Sequence, residues 1–262
     1  MVRLGPLVIG DDTPVFIIAE AGVNHNGDIA TAKSLIDAAV EAGVDAVKFQ
    51  TYETEKVALA MAPKARYQKE TTSSVESQFQ MLKRLELTEG DFAELMDYCR
   101  RRQILFLSTP HDRTSIDTLD ALGVCAFKVG SGDVTNVPYL KHVANKGKPI
   151  LLSTGMSTLG EVEAAVDAIL SAGNKDLVLL HCVSNYPARV EDCNLRAIET
   201  LKNVFALPVG FSDHTLGIEI GIGAAAMGAT VIEKHLTLDR TMPGPDHRAS
   251  LEPPELKAMV RG

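Results

Sequence analysis

PILLSTG (149–155), GEVEAAVDAILSAG (160–173) and LVLLHCVS (177–184) form one continuous unit of sequence: an apolar run, an amphipathic stretch, a second apolar run. The runs show no polar alternation, as expected of strands buried on both faces. The stretch between them spaces its apolar residues for a helix and ends on Gly173, suited to the left-handed residue after a helix. The same alternation extends in both directions. VFIIAEAG (15–22), AVKFQTY (46–52), ILFLSTP (104–110) and AFKVGSGD (126–133) precede the unit, and PVGFSDHT (208–215) and VIEKHLTL (231–238) follow it. TAKSLIDAAVEAG (31–43) places Ala32, Leu35, Ile36, Ala39 and Val40 on one stripe, and GDFAELMDYCRRR, HDRTSIDTLDALG and GIEIGIGAAAMG behave alike. Gly43, Gly123 and Gly228 end helices as Gly173 does. The eight runs predict an α/β chain folded as a single (β/α)8 TIM barrel over residues 1–262. A doubly wound open sheet is the alternative, weakened because no GxGxxG follows the first strand.

Residues 53–87 interrupt the pattern. They carry Lys56, Lys64, Arg66, Lys69 and the polar cluster ETTSSVESQ, and are expected as a long loop lying over the C-terminal mouth as a lid. The chain stops at LEPPELKAMVRG, barely two turns into the last helix, so a truncated chain is expected.

Composition narrows the function. With 26 Lys+Arg against 34 Asp+Glu the formal charge is −8, which argues against a nucleic-acid binder. Aromatics make up 5% and Trp is absent, so base-stacking platforms are not expected. No run has the length of a membrane span, and the N-terminus lacks a signal peptide's apolar stretch. The four cysteines show no CxxC spacing. A cytoplasmic setting is expected, without membrane or nucleic-acid partners.

Polar residues gather where the runs end. Glu20, Asn24 and His25 follow the first; Lys48 and Gln50 lie on the second; Thr109 follows the third; Lys128, Ser131 and Asp133 belong to the fourth. Ser153 and Thr154 belong to the fifth, His181, Ser184, Asn185 and Tyr186 follow the sixth, Ser212, Asp213 and His214 the seventh, Glu233 and His235 the eighth. In a barrel these ends meet at one mouth, where active sites lie. A lysine inside an apolar strand is costly unless paired or functional. Lys48 and Lys128, with Ser131, Ser153, Ser184 and Ser212, make a cradle for phosphate or carboxylate. Alternatively each lysine pairs with a core carboxylate such as Glu20 or Glu233. His214 and His235 fit a divalent-cation site or, equally, one general base and one structural histidine. His181 reads as a core histidine, His111 and His142 as helix-start and helix-surface residues, and His25 and His247 as loop residues able to reach the mouth. Glu20 ends an apolar strand, where burial would tune it for proton transfer. Cys182 and His181 face opposite sides of their strand, which disfavours a nucleophilic dyad. A Schiff-base aldolase using Lys48 or Lys128 remains open, as does a barrel that binds an anionic sugar without catalysis.

AEAGVNHNG (19–27), VKFQT (47–51), FKVGSGD (127–133), ILLSTGM (150–156), GFSDHT (210–215), EKHLTLD (233–239) and PGPDHRASLEPPEL (243–256), in this order, resemble the sialic acid synthase family. The resemblance covers residues 10–262. It implies an N-acetylneuraminate-type synthase that condenses phosphoenolpyruvate with an N-acyl hexosamine and releases phosphate. Lys48, Lys128, Ser131, Ser153, Ser184 and Ser212 would hold phosphoenolpyruvate, with Gln50 also on the substrate. His214 and His235 would bind a divalent metal, Mn2+ or Mg2+. Glu20, Asp133, Tyr186 and Asp246 would face the sugar and the reacting centre. Some members carry Glu at the position of Asp133 and Asn at that of Ser184. APKARYQKETTSSVESQFQMLKRLEL (62–87) looks more like bacterial members, including those that make legionaminic acid. Full-length members add a C-terminal antifreeze-like domain that swaps across a homodimer and lends an Arg, and this chain is expected to end before it.

Overall fold

Within each strand, alternation decides which side chains enter the barrel and which brace it from outside. A computed structural model describes residues 1–73 and 75–262; the side chain of Arg66, one of the expected lid cations, lies outside what it describes. Two strands that the apolar runs do not announce come first. β1 (Val2–Leu4) and β2 (Leu7–Ile9) form an antiparallel hairpin. The barrel strands follow: β3 (Phe16–Gly22), β4 (Ala46–Thr51), β5 (Leu105–Pro110), β6 (Phe127–Val129), β7 (Ile150–Ser153), β8 (Leu177–Cys182), β9 (Val209–Asp213) and β10 (Val231–His235). They pair in the order β5-β4-β3-β10-β9-β8-β7-β6, all parallel, and β5 packs beside β6 to complete the ring. The open-sheet alternative is thereby set aside.

Ile18, Ala46, Leu107, Leu151, Val178 and Val231 point inward and make an apolar floor, which Val2, Leu4 and Ile9 of the hairpin cover. The interior is full at this level. A Cβ on Gly210 would stand 2.5 Å from the Val231 carbonyl oxygen and 2.7 Å from Leu180 Cδ2. Further along the same strands, on the same face, polarity switches: Glu20, Lys48, Lys128, Ser153, Ser212 and Glu233 are all buried polar groups. Outward-facing Val47, Phe49, Phe127, Leu179, Phe211 and Ile232 pack under the helices.

Those helices are α1 (Ile29–Ala42), α2 (Thr54–Val57), α3 (Arg66–Thr71), α4 (Gln78–Leu85), α5 (Glu89–Arg102), α6 (Arg113–Leu122), α7 (Val137–Ala144), α8 (Leu159–Ser171), α9 (Ala197–Phe205), α10 (Glu219–Ala226) and α11 (Pro253–Arg261). Their ends follow local chemistry. The Asp28 side chain accepts the Thr31 amide of α1, and Gly43 closes that helix at φ 85°. Gly123, Gly173 and Gly228 have φ of 81°, 89° and 90°.

The expectation of one long loop at 53–87 is corrected. The segment contains α2, α3 and α4, because Met81 and Leu85 fall one turn apart and bury against Val23 and Tyr52 in a small core of their own. Lys64 is buried there and is bound to Thr72 Oγ1 at 2.7 Å, and Lys56 pairs with Glu53 at 2.7 Å. Strand four is also shorter than its apolar run: Ser131 and Asp133 sit on a 3-10 turn beyond β6. Among the described residues, no helix is long and apolar enough to cross a membrane.

Candidate active site

The strand register sets the charged layer. Glu20 is level with Lys48 on β4 and with His235 on β10, and Glu233 with Ser212 on β9. Lys48 Nζ lies 2.5 Å from Glu20 Oε2, 3.8 Å from Glu233 Oε1, and donates to Thr109 Oγ1 at 2.9 Å. Lys128 Nζ lies 3.6 Å from Glu233. Gln50 Nε2 donates to Glu20 Oε1 at 2.9 Å, and Ser212 Oγ donates to Glu233 Oε1 at 3.1 Å. The lysines therefore do pair with core carboxylates, and they do so on the wall of a cavity of about 360 Å³ at the C-terminal mouth.

Ser131, Ser153, Ser184 and Ser212 line this cavity, as do Asp133, Gln50, Tyr186, His214 and His235. Gly155 allows the serines to meet, since a Cβ there would stand 2.5 Å from Ser184 Oγ and 2.7 Å from Cys182 Sγ. Its N–H donates to Ser131 Oγ at 2.9 Å. Apart from Glu20 Oε2, which faces the Lys48 ammonium, Ser153 Oγ, Glu233 Oε2 and His235 Nδ1 on the lining side chains are buried without a hydrogen-bond partner among the described residues. Buried polar atoms are rarely left unpaired, and a polar ligand would satisfy them.

Burial shifts the titratable groups, and the neighbours decide the sign. Burial opposes charge on Lys48, but Glu20 and Glu233 outweigh it and raise its pKa. Burial prevails at Lys128, whose pKa is lowered despite Glu233. Burial raises the Glu20 carboxyl against the pull of Lys48, with Glu233 adding to the rise. The Glu233 carboxyl, also buried, is instead lowered by Lys128 and Lys48. Burial takes His214 down to about 4 and His235 well below its ordinary range, so both imidazoles are neutral near pH 7.

The two imidazole centroids are 5.6 Å apart, and the Tyr186 ring lies 4.2 Å from His214. Bonding of His214 Nδ1 to the Val183 carbonyl at 2.7 Å directs its Nε2 lone pair away from the main chain. His214 Nε2, with only Ser212 Oγ at 3.4 Å, and His235 Nδ1, without a partner among the described residues, are nitrogens that could take a divalent cation. Among the described residues no three His, Cys, Asp or Glu side chains gather as a ready-made metal site, so water or substrate would supply the other positions.

Other expected mouth residues go elsewhere. Asp246 is buried and feels the charges of Glu20 and Lys48 but is not among the cavity's lining residues, and its carboxyl is pushed up to about 7 by burial and then by Glu20. Asn24 is bound to the Leu236 carbonyl and Ser250, each at 2.9 Å, and His25 Nδ1 accepts the Gly27 amide. His247 is held by Thr237 and Asn26, so neither His25 nor His247 reaches the mouth. Asp213 faces outward. Thr154, Asn185 and His181 line a neighbouring groove, where His181 meets the Cys193 carbonyl at 2.7 Å. His142 is on the surface with Asp117, as expected. His111 opens α6 but also lines the cavity, which its placement as a helix-start residue missed. Glu233 lines the cavity with His235, two residues further on β10, as expected of the run ends, and is also the counter-ion that the alternative reading of the lysines names. Tyr67 on α3 also lines the cavity and stacks on Tyr186 at 5.4 Å, and no local pattern announces it.

The NeuB family profile matches residues 35–262. The N,N'-diacetyllegionaminic acid synthase of Campylobacter jejuni is 51% identical over 93% of this chain and 73% of its own length. The enzyme of that name from Legionella pneumophila is 51% identical over 96% and 72%. The N-acetylneuraminate-9-phosphate synthase of Mus musculus is 40% identical over 97% and 70%. The crystal structure of the N-acetylneuraminic acid synthetase of Leptospira borgpetersenii, in complex with citrate, superimposes with a TM-score of 0.88 at 38% identity, covering 99% of this chain and 86% of that one. A barrel with this mouth and these relatives belongs to the NeuB family.

Proposed function

We propose that the chain is a nonulosonic acid synthase: it joins phosphoenolpyruvate to the aldehyde of an N-acylated hexosamine, with release of phosphate. The observation that carries this reading is the meeting of Lys48, Lys128 and four serines in one cavity with His214 and His235. Identity of 51% to two diacetyllegionaminic acid synthases, against 40% to the mouse neuraminate phosphate synthase, favours an acceptor with two acetamido groups. Phosphoenolpyruvate contributes no nitrogen, so both groups of such a product must come from the sugar.

The lysines and serines hold the carboxylate and phosphate of phosphoenolpyruvate. Its C3 bonds to the aldehyde carbon, water adds at C2, and the C2–O bond to phosphate breaks as the new ketone forms. Both protons of the water leave: one reaches the new alkoxide, and the other goes with the departing phosphate as the C2 hydroxyl becomes the ketone. Glu20 suits this traffic, because burial keeps its carboxyl above the usual range and Gln50 fixes one of its oxygens. The two lysines are already balanced by two glutamates and the imidazoles are neutral, so an incoming trianion needs further positive charge or protons. A divalent cation on His214 and His235, Mn2+ or Mg2+, would supply charge and Lewis acidity toward the sugar carbonyl. A homodimer and a cytoplasmic setting belong to the same reading.

The test is phosphate release with phosphoenolpyruvate, Mn2+ and a panel of mono- and diacetamido hexoses. Release that requires both substrates supports the reading. Release without sugar, or borohydride trapping of a lysine with substrate, would replace it.

A further inference from the structure

Lys234 and Asp213 form an ion pair with no exposed surface on the outer face of the barrel, behind the two histidines. They are cross-strand partners in the β9–β10 register, and the next residue on each strand is His214 or His235. Lys234 Nζ donates to Asp213 Oδ2 and to the Thr215 carbonyl, both at 2.7 Å. Asp213 Oδ1 accepts the Thr215 N–H at 2.9 Å and its hydroxyl at 2.7 Å. The pair thus grips the main chain on both sides of His214. The His214 carbonyl in turn accepts the Ala188 amide at 2.8 Å, which ties in the segment carrying Tyr186. α10 closes over the pair through Gly221, where a Cβ would stand 3.4 Å from Asp213 Oδ2. Stability alone does not explain such a pair, since apolar residues of similar volume are often as stable in its place. The residues around it do explain it.

The structure assigns Lys234 and Asp213 as positioning residues that hold His214 and His235 in the relative placement a divalent cation needs. The inference rests on the metal reading above for its ligand, and on this geometry alone for the positioning. No chemistry passes through the pair, which acts through the backbone of β9 and β10.

The test replaces the pair with apolar residues, Asp213→Leu with Lys234→Met, in the full chain. Folding is followed by thermal melting, Mn2+ affinity by electron paramagnetic resonance titration, and the imidazoles by NMR of histidine-labelled, metal-free protein. The expected result is a melting point at or above the parent's, Mn2+ binding weaker by about tenfold or more, and displaced His214 and His235 signals with His142 unmoved. A folded double variant with parental Mn2+ affinity and unmoved imidazoles overturns the inference. Displaced imidazoles in a protein whose parent binds no Mn2+ would sink the metal reading and leave the positioning role standing. If the double variant does not fold, Asp213→Asn, which keeps an acceptor for Thr215 but weakens the hold on Lys234, is judged by the same two outcomes.

Discussion

Glu20 and Lys48 face each other across β3 and β4 with 2.5 Å between carboxylate oxygen and ammonium nitrogen, on the wall of the cavity a substrate anion would enter. The same lysine is the nearest cation to Glu20 and one of two to Glu233. Lys48→Met leaves two buried carboxylates with Lys128 alone. Loss of one partner of such a network costs about 3–5 kcal/mol, so the melting point falls. Turnover falls about 10²–10³-fold, as for loss of a positioned charge stabiliser. Calorimetry and steady-state kinetics check the two effects separately.

Glu20→Gln keeps the shape and the contact with Gln50 while removing the proton carrier. Turnover is expected to drop about 10²–10⁴-fold with folding intact. Parental turnover in this variant would withdraw Glu20 from the proton role.

Asp246 carries its own pH signature. Its carboxyl moves from 3.8 to about 7, through burial first and the Glu20 charge second. Between those values the folded state holds a proton that the unfolded chain has lost, so stability from this group falls as pH rises and levels off above about 7. Asp246→Asn should therefore gain a few kcal/mol on the parent near pH 8 and nothing near pH 4, at about 1.4 kcal/mol per pH unit. Urea denaturation across pH reads the difference.

Chelation should stop phosphate release and Mn2+ should restore it. His235→Ala should abolish the restored activity and Mn2+ binding together, read by metal titration. Undiminished activity in that variant refutes the metal role.

Tyr67 reaches the mouth from α3 and stacks on Tyr186. Tyr67→Ala should raise the KM of the acceptor sugar about fivefold, from an aromatic contact of about 1 kcal/mol. The KM of phosphoenolpyruvate, held deeper by Lys48 and Lys128, should be unchanged. Equal effects on both substrates would place Tyr67 on the inner subsite.

The barrel was legible because its signals are local. Apolar runs, helical spacing and terminal glycines such as Gly43 and Gly123 each report on a few neighbouring residues. Lys48 and Lys128 stood out because a charge in an apolar run needs a reason. The hairpin and the helices within 53–87 were not read, because each rests on a partner distant in sequence: Val2 and Leu4 on the barrel floor, Met81 and Leu85 on Val23 and Tyr52.

The order of strands, the mouth's polar residues and the family were determined by the sequence itself, since strand length, alternation and motif are properties of adjacent residues. The three-dimensional arrangement alone decided that Glu233 enters the cavity while Lys234 and Asp213 turn outward, that His25 and His247 brace loops, and that Tyr67 joins the site. Those outcomes depend on strand register and ring closure. A shift of one residue in register would exchange every inward side chain for an outward one, and no local pattern of residues carries that choice.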